Sequence, residues 1–126
     1  MSALALYSLR MFIRQQGVNI FTMEEIDRDG VGVVIERALR KLKGIDLLYV
    51  RLDLDAVDPS VAAGVGTPVK GGLSYRESHL LLETVHDHRK MTSLEIVEED
   101  PVLDNRNQSA EFAVELVMSA LGKKII

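Results

Sequence analysis

Apolar residues recur every three or four positions in several stretches of the chain, which is the spacing of an amphipathic helix. The most regular stretch runs from Val31 to Leu42 and is followed by Gly44, a residue type that commonly ends helices. Two further stripes predict helices nearer the ends of the chain. They are Leu6, Leu9, Phe12 and Ile13 before Gly17, and Ala110, Ala113, Val114, Val117, Met118 and Leu121 before Gly122.

Other stretches have the pattern of β-strands. Residues 45–55 alternate between apolar and polar side chains, and residues 18–21 and 92–98 are typical of shorter strands. On the predicted strand 45–55, the polar face carries Tyr49, Arg51, Asp53 and Asp55. Because predicted helices and strands alternate along the chain, we expect an α/β fold with parallel βαβ units.

Two predicted helix starts carry a capping box, in which Ser or Thr is followed three residues later by Glu. The pair Thr22 and Glu25 predicts a helical turn that breaks at Asp29-Gly30, and Ser74 and Glu77 predict a helix to about residue 86. Residues 56–73 contain two prolines and four glycines, so they are predicted to be irregular. A loop of that length inside a domain is usually functional or disordered, and its fixed turns favour a function.

Composition narrows the class of protein. With 126 residues, 47% hydrophobic and 27% charged, the chain is expected to be one globular domain or part of one. Its net charge of −4 and scattered basic residues argue against a nucleic-acid interface. The absence of cysteine excludes disulfides and thiolate metal sites, which suits a cytoplasmic protein. Its apolar runs are too short to span a bilayer, so no membrane partner is expected.

The strongest chemical signal is the Asp53-Leu-Asp55 sequence at the end of the predicted strand. On a strand, side chains two residues apart point the same way, here at the carboxyl end where open α/β sheets bind ligands. Two carboxylates ~4 Å apart repel by about 4 kcal/mol at an effective dielectric of ~20, so a cation is expected between them. The residues alone leave four interpretations open: two solvated acids, a haloacid dehalogenase-type phosphotransferase, a nucleotide-sugar transferase and a two-metal hydrolase. Val57 stands where the phosphotransferase would need threonine.

The loop and the segments after it resemble a known family. The stretches are Asp53-Leu-Asp-Ala-Val-Asp-Pro59, Gly64-Val-Gly-Thr-Pro68, Gly71-Gly-Leu-Ser-Tyr-Arg-Glu77 and Glu95-Ile-Val-Glu-Glu-Asp-Pro101. In this order they are similar to the ureohydrolase superfamily, and to its arginases more than to its agmatinases. The resemblance extends from about Arg14 to Ile126. It implies a three-layer αβα fold with a parallel sheet, of which residues 1–126 form a single partial domain, the C-terminal portion.

The resemblance also implies roles for individual residues. In this family two manganese ions activate water for attack on the guanidinium carbon of arginine, which yields ornithine and urea. By position, Asp53 would bridge both metals and Asp55 would bind one of them. Glu98 would pair with the substrate guanidinium, and Thr67 would lie near the substrate. Two residues of the Tyr75-Arg76-Glu77 stretch, Arg76 and Glu77, would lie near a subunit interface, with a simple capping role as the alternative for Glu77.

The chain departs from the family pattern in two ways. Glu99 and Asp100 stand where valine and asparagine are common. The family's G-G-D-H and D-A-H-x-D segments, which supply further metal ligands, are absent, and the three histidines His79, His86 and His88 occupy no ligand position. His79 and His86 are expected to be surface or helix-packing residues. We therefore expect a fragment that is inactive alone and that associates with the missing N-terminal half or forms a homo-oligomer. The alternatives are an inactive relative that acts only by association, and an agmatinase-type enzyme.

Overall fold

Two parallel strands, together with the helix that connects them, form the centre of the structure. The structure is a computed structural model that describes residues 3–126. Strand β1 is Leu48–Asp53 and strand β2 is Met91–Val97. They pair in parallel, with Leu52 opposite Ile96 and Asp53 opposite Val97. The predicted α/β class and parallel pairing are confirmed.

The helices of the described residues are, in chain order, α1 (Ala3–Gln15), α2 (Met23–Asp29), α3 (Val31–Lys41), α4 (Tyr75–Asp87) and α5 (Gln108–Ala120). A single turn of 3-10 helix, Leu54–Ala56, follows β1 directly. Helix α4 connects the two strands, and it contacts α3 on one side and α5 on the other. Of the stripe predicted in α1, the side chain of Leu6 lies outside the described part of the structure.

The main core lies between one face of the sheet and helices α4 and α5. Its buried members come from β1, from the loop after it and from the two helices. They are Leu52, Leu54, Val57, Ala62, Val65, Leu82, Phe112, Leu116 and Ala120. The opposite face of the sheet carries Tyr49, Arg51 and Glu95, which are exposed. The described residues thus provide the sheet and a helical layer on one of its faces.

Both predicted capping boxes are present. The hydroxyl of Thr22 accepts the backbone N–H of Glu25, and the Glu25 carboxylate accepts the backbone N–H of Thr22 at 2.8 Å. Ser74 and Glu77 make the same pair of contacts at the start of α4. Each box satisfies backbone donors that the first helical turn leaves without intrahelical partners. Local sequence therefore determines where these two helices begin.

Two strand predictions were wrong, one in existence and one in extent. Residues 18–21 form no strand, and β1 begins at Leu48 rather than Ile45. The backbone N–H of Leu48 donates to the carbonyl of Lys90 at 2.9 Å, just before β2 begins. Upstream of Leu48, the carbonyl of Ile45 accepts a hydrogen bond from the Lys90 ammonium at 2.9 Å and not from a neighbouring strand. Pairing begins only where a neighbouring strand is available, which β-propensity does not reveal.

His79 packs between helices α4 and α5, as expected of a structural histidine. It is 2% exposed, and its ring lies 4.5 Å from that of Tyr75 and 5.7 Å from that of Phe112, measured between centroids. Its Nδ1 lies 2.8 Å from the Ser119 hydroxyl. His86 also joins the two helices, since its Nδ1 donates to the carbonyl of Ala120 at 3.0 Å.

Substituting His79 tests the effect of its burial on stability. Burial lowers the pKa of His79 below its ordinary value of 6.5, and this outweighs the opposing charges of Glu115 and Glu83. Since the unfolded chain then binds more protons, the free energy of unfolding falls as pH drops below about 6.5. His79→Gln, which does not titrate, should flatten the stability profile between about pH 7 and 5, measured by urea denaturation. His88→Gln is the matched control, because the His88 ring is partly exposed and lies 3.1 Å from the Glu36 carboxylate. An equal pH slope in wild type and His79→Gln would contradict the assignment.

Candidate functional site

Asp53 and Glu98 lie at the same end of the sheet. Asp53 is the last residue of β1 and pairs with Val97, the last residue of β2, and Glu98 follows directly. Parallel pairing therefore brings both carboxylate-bearing residues to the carboxyl edge of neighbouring strands. Both are exposed. The sheet register alone makes them neighbours, although 45 positions separate them in sequence.

Asp55 does not lie on the strand, which corrects the geometry expected for Asp53-Leu-Asp55. It belongs to the 3-10 turn, because the carboxylate of Asp53 accepts the backbone N–H of Asp55 at 2.9 Å and caps that turn. The two aspartates are therefore related by a capped turn rather than by the two-residue repeat of a strand. One oxygen of Asp53 is thereby occupied.

Thr67 reaches back across the loop to Asp55. Its hydroxyl donates to Oδ2 of Asp55. The other oxygen, Oδ1, is buried and has no hydrogen-bond partner among the described residues. A buried carboxylate oxygen without a donor is costly, so a cation is a suitable partner for it. The structure thus brings together two of the predicted site residues that are twelve positions apart.

The loop of residues 56–73 is closed at its neck by backbone hydrogen bonds. The N–H of Leu73 donates to the carbonyl of Ala56 at 2.8 Å, and the N–H of Asp58 donates to the carbonyl of Leu73 at 2.9 Å. Gly72 lies so close that a Cβ there would come within 2.7 Å of the carbonyl oxygen of Ala56 and the backbone nitrogen of Asp58. Only glycine permits this approach without a shift of the backbone.

The Asp58 carboxylate ties the two arms of the loop together. One oxygen accepts the backbone N–H of Ser60 at 2.9 Å and its hydroxyl at 2.6 Å, and the other accepts the N–H of Gly71 at 2.8 Å. The Ser60 hydroxyl and these backbone donors lower the pKa of Asp58 to about 2. Asp58 is therefore a structural carboxylate that holds the loop in shape.

A second set of contacts joins the middle of the loop to the segment after β2. The N–H of Gly64 donates to the buried Ser109 hydroxyl at 2.8 Å, and its carbonyl accepts the N–H of Asp100 at 2.8 Å. Val65 and Glu99 form an antiparallel bridge next to these contacts. The loop that carries Thr67 is thus held against the segment that begins at Glu98.

Asp104 supports this junction from the start of α5. Burial raises the pKa of Asp104, but hydrogen bonds from the backbone of Ser109 and Ala110, the Ser109 hydroxyl and the backbone of Asn105 together hold the pKa below its ordinary value. The N–H groups of Ser109 and Ala110 lie 3.0–3.2 Å from its oxygens. Gly64 packs on Asp104 so closely that a Cβ at Gly64 would lie 2.6 Å from the Cβ of Asp104. The sequence pattern predicted neither the junction at Ser109 nor this packing, because each joins residues about 40 positions apart.

The backbone around Glu98 is unusual. Glu98 has a φ of +68°, a left-handed conformation that is uncommon for a residue other than glycine. Such conformations are concentrated at functional sites, where surrounding contacts maintain them. The next residue, Glu99, has an oxygen that is buried without a hydrogen-bond partner among the described residues, whereas Asp100 accepts the N–H of Val102 at 2.9 Å in a local turn.

The charge at this edge of the sheet is strongly negative. Five acidic residues lie here: Asp53, Asp55, Glu98, Glu99 and Asp100. Within the described residues, none of them takes part in an ion pair. Carboxylate oxygens are the ligands that hard divalent cations prefer, and Asp55 offers one without a donor. In the described chain, however, no three His, Cys, Asp or Glu residues group closely enough to hold a metal ion. The donors fit part of a cation site.

Arg76 and Glu77 lie in the first turn of α4 and belong to a different set of contacts. Glu77 caps the helix through Ser74, as the capping-box sequence predicts. The guanidinium of Arg76 contacts the buried Glu83 at 3.1 Å, and Glu83 also accepts the N–H of Ile125 at 3.1 Å. The interface role of both residues stays a prediction.

Known proteins share the sequence and fold of this chain. Residues 5–122 match the arginase family. The chain belongs to that family. It is 50% identical to the curated arginase of Bacillus subtilis over 117 residues, which is 93% of this chain and 40% of that protein. A crystal structure of the B. subtilis arginase matches with a TM-score of 0.88, covering 93% of this chain and 42% of that one. The native arginase structure from Bacillus caldovelox is 47% identical, with a TM-score of 0.88, and covers 95% and 40% of the two chains.

The family resemblance of the sequence is thereby confirmed, and the arginase relatives are considerably longer than this chain. It spans 40% of the length of the B. subtilis and B. caldovelox relatives. In residues 3–126, no helix has the length and apolar character needed to cross a membrane. The chain therefore has the scaffold of an arginase-family hydrolase.

Gly64→Ala should weaken the junction between the loop and α5. The new methyl group would overlap both the Cβ and the Cα of Asp104, and such overpacking typically costs about 1–3 kcal/mol. Gly66→Ala is the matched control, because a Cβ at Gly66 would meet no atom within 4 Å and the change should be neutral or slightly stabilising. Urea denaturation measures the free energy of unfolding of each variant. Equal stabilities for the two variants would contradict the close packing of Gly64.

Asp58→Asn should loosen the loop and remove an acid-dependent stabilisation. Because the pKa of Asp58 falls from 3.8 to about 2 on folding, its contribution is present above pH 3.8 and is lost as pH falls toward about 2. In the variant, the backbone amides of Ser60 and Gly71 should exchange with deuterium faster than in wild type. Asp46→Asn, at an exposed position before β1, is the control. Unchanged exchange at both amides would show that the carboxylate does not hold the loop.

Proposed function

We propose that this chain forms the carboxylate-bearing part of a manganese-dependent hydrolase that converts arginine and water to ornithine and urea. The observation that carries the proposal is the convergence of Asp53, Asp55, Thr67 and Glu98 at the carboxyl edge of β1 and β2. Parallel α/β sheets bind their ligands at this edge. The family membership supports the class of reaction.

Asp53 and Asp55 are the proposed metal ligands. Asp53 has one oxygen beyond the one that accepts the Asp55 N–H, and Asp55 has the buried Oδ1. Manganese, when bound, would supply the activation of water at neutral pH. Two carboxylates do not complete the coordination of a hard divalent cation, so further donors are proposed to come from residues outside this chain. These would belong to the remainder of an arginase-type domain.

Glu98 is the proposed partner of the substrate guanidinium. A carboxylate can accept two parallel hydrogen bonds from a planar guanidinium, which fixes the orientation of the carbon that is attacked. The left-handed φ of +68° means that the backbone leaves the extended conformation of β2 at Glu98. Thr67 donates to Asp55 from the other arm of the loop and is the proposed second contact to the substrate.

A second candidate function is association without catalysis. It is favoured by the lack of any grouping of three metal-ligating side chains in the described residues and by the exposed polar face of the sheet. In that case the chain would bind subunits of an arginase-type enzyme, and Arg76 and Glu77 are proposed to lie near the contact. A homo-oligomer and a cytoplasmic location remain part of the proposal. An agmatinase-type substrate preference is the remaining alternative.

A chimera would test the catalytic proposal directly. The stretch of B. subtilis arginase that this chain matches is replaced by residues 5–122, and urea release is measured with manganese and either arginine or agmatine. We expect hydrolysis of arginine in preference to agmatine. Glu98→Gln should lower kcat/KM by about 100-fold because the guanidinium loses its oriented partner, and Asp53→Asn should weaken manganese binding.

The controls separate folding from chemistry. Glu95→Gln changes the exposed face of β2, the strand that leads to Glu98. Glu95 contacts Tyr49 and Arg51 there, and the substitution should leave activity near wild type. The 126-residue chain alone should release no measurable urea. A folded chimera that hydrolyses neither substrate would favour the association function instead. Full activity of the Glu98→Gln chimera would remove Glu98 from the proposed site.

A further inference from the structure

The hydroxyl of Thr67 has a single proton, which it donates to Asp55 Oδ2. Toward any other neighbour the Thr67 oxygen can therefore offer only lone pairs. A guanidinium has N–H donors and no acceptors, so a substrate N–H would be the donor in that contact. Thr67 is thus suited to accept from the substrate while it donates to the aspartate.

The same hydrogen bond determines which oxygen of Asp55 is available. With Oδ2 held by Thr67 and the backbone N–H of Asp55 donated to Asp53, the buried Oδ1 is the oxygen without a partner in the described part of the chain. A carboxylate side chain on a one-turn 3-10 helix would otherwise be free to rotate about its side-chain torsions. The contact from Thr67 fixes that rotation from the other arm of the loop.

We propose that Thr67 is a positioning residue that locks the Asp55 carboxylate with Oδ1 directed to the cation, a role that rests on the proposed function. It deepens the assignment of Thr67 from a neighbour of the substrate to the link between substrate and metal ligand. The position of Thr67 depends in turn on the loop anchors at Gly64, Val65 and Gly71 on either side of it.

The test uses the full chain of 126 residues and three variants. Thr67→Val removes the hydroxyl with little change of shape, Thr67→Ser retains it, and Thr92→Val removes a comparable exposed hydroxyl that donates to the Leu48 carbonyl at 3.3 Å. Three-bond couplings to the Asp55 carboxyl carbon report the rotamer of its side chain without metal. Broadening of the Asp55 resonances on titration with Mn²⁺ reports cation binding.

We expect a single Asp55 rotamer in wild type, Thr67→Ser and Thr92→Val, and averaged couplings in Thr67→Val. Mn²⁺ binding should weaken about tenfold in Thr67→Val alone, since loss of a partner that orients a ligand costs about 10–100-fold in metal affinity. Couplings and Mn²⁺ binding in Thr67→Val that match wild type would overturn the proposal, as would a Thr67→Ser variant that behaves like Thr67→Val. A locked Asp55 that Mn²⁺ does not broaden would support the positioning by Thr67 and would overturn cation binding by the 126 residues alone.

Discussion

The parallel pairing of β1 with β2 is the constraint on which the site depends. It sets Asp53 opposite Val97, so that Asp53 and Glu98, 45 positions apart in the chain, emerge next to each other at one edge. A shift of the register by one residue would turn Asp53 toward the core face and Leu52 toward the exposed face. The buried Leu52 therefore protects the register, because its exposure would cost hydrophobic stabilisation of roughly 1.5–3 kcal/mol.

The loop after β1 determines the shape of the candidate site at this edge. An irregular segment of this length loses conformational entropy on ordering, and hydrogen bonds at its neck and its middle offset that loss. Asp58 closes the neck, and Gly64 joins the middle to Ser109 at the start of α5. Neither residue lies at the proposed chemistry, yet both determine where Thr67 lies. A charged or glycine position in such a motif can therefore be structural even when its neighbours are functional.

Local features could be predicted from the sequence, and features that depend on distant contacts could not. Both capping boxes, the irregular loop and the α/β class follow from short-range patterns of residue type, whereas the start of β1 depends on where β2 lies. The orientation of Asp55 does not, because it depends on an Asp53 side chain that caps a turn and on Thr67 twelve residues away. The packing of Gly64 on Asp104 is similarly long-range. Glycine in the motif signals a close approach, but the partner can be named only from the fold.

Under the proposed function, the acidic edge would couple the stability of the loop to cation binding. Carboxylates that lie together without ion pairs among the described residues repel one another, and this repulsion opposes the closed arrangement of the loop. A cation that binds only this arrangement offsets the repulsion and stabilises it by mass action, by about 2.7 kcal/mol at a concentration roughly 100 times its Kd. The strained φ of Glu98 and the donor-free oxygen of Asp55 are costs of the same kind. Hydrogen bonds around the loop maintain both, so under the proposed function the carboxylates would already be in position before a cation binds.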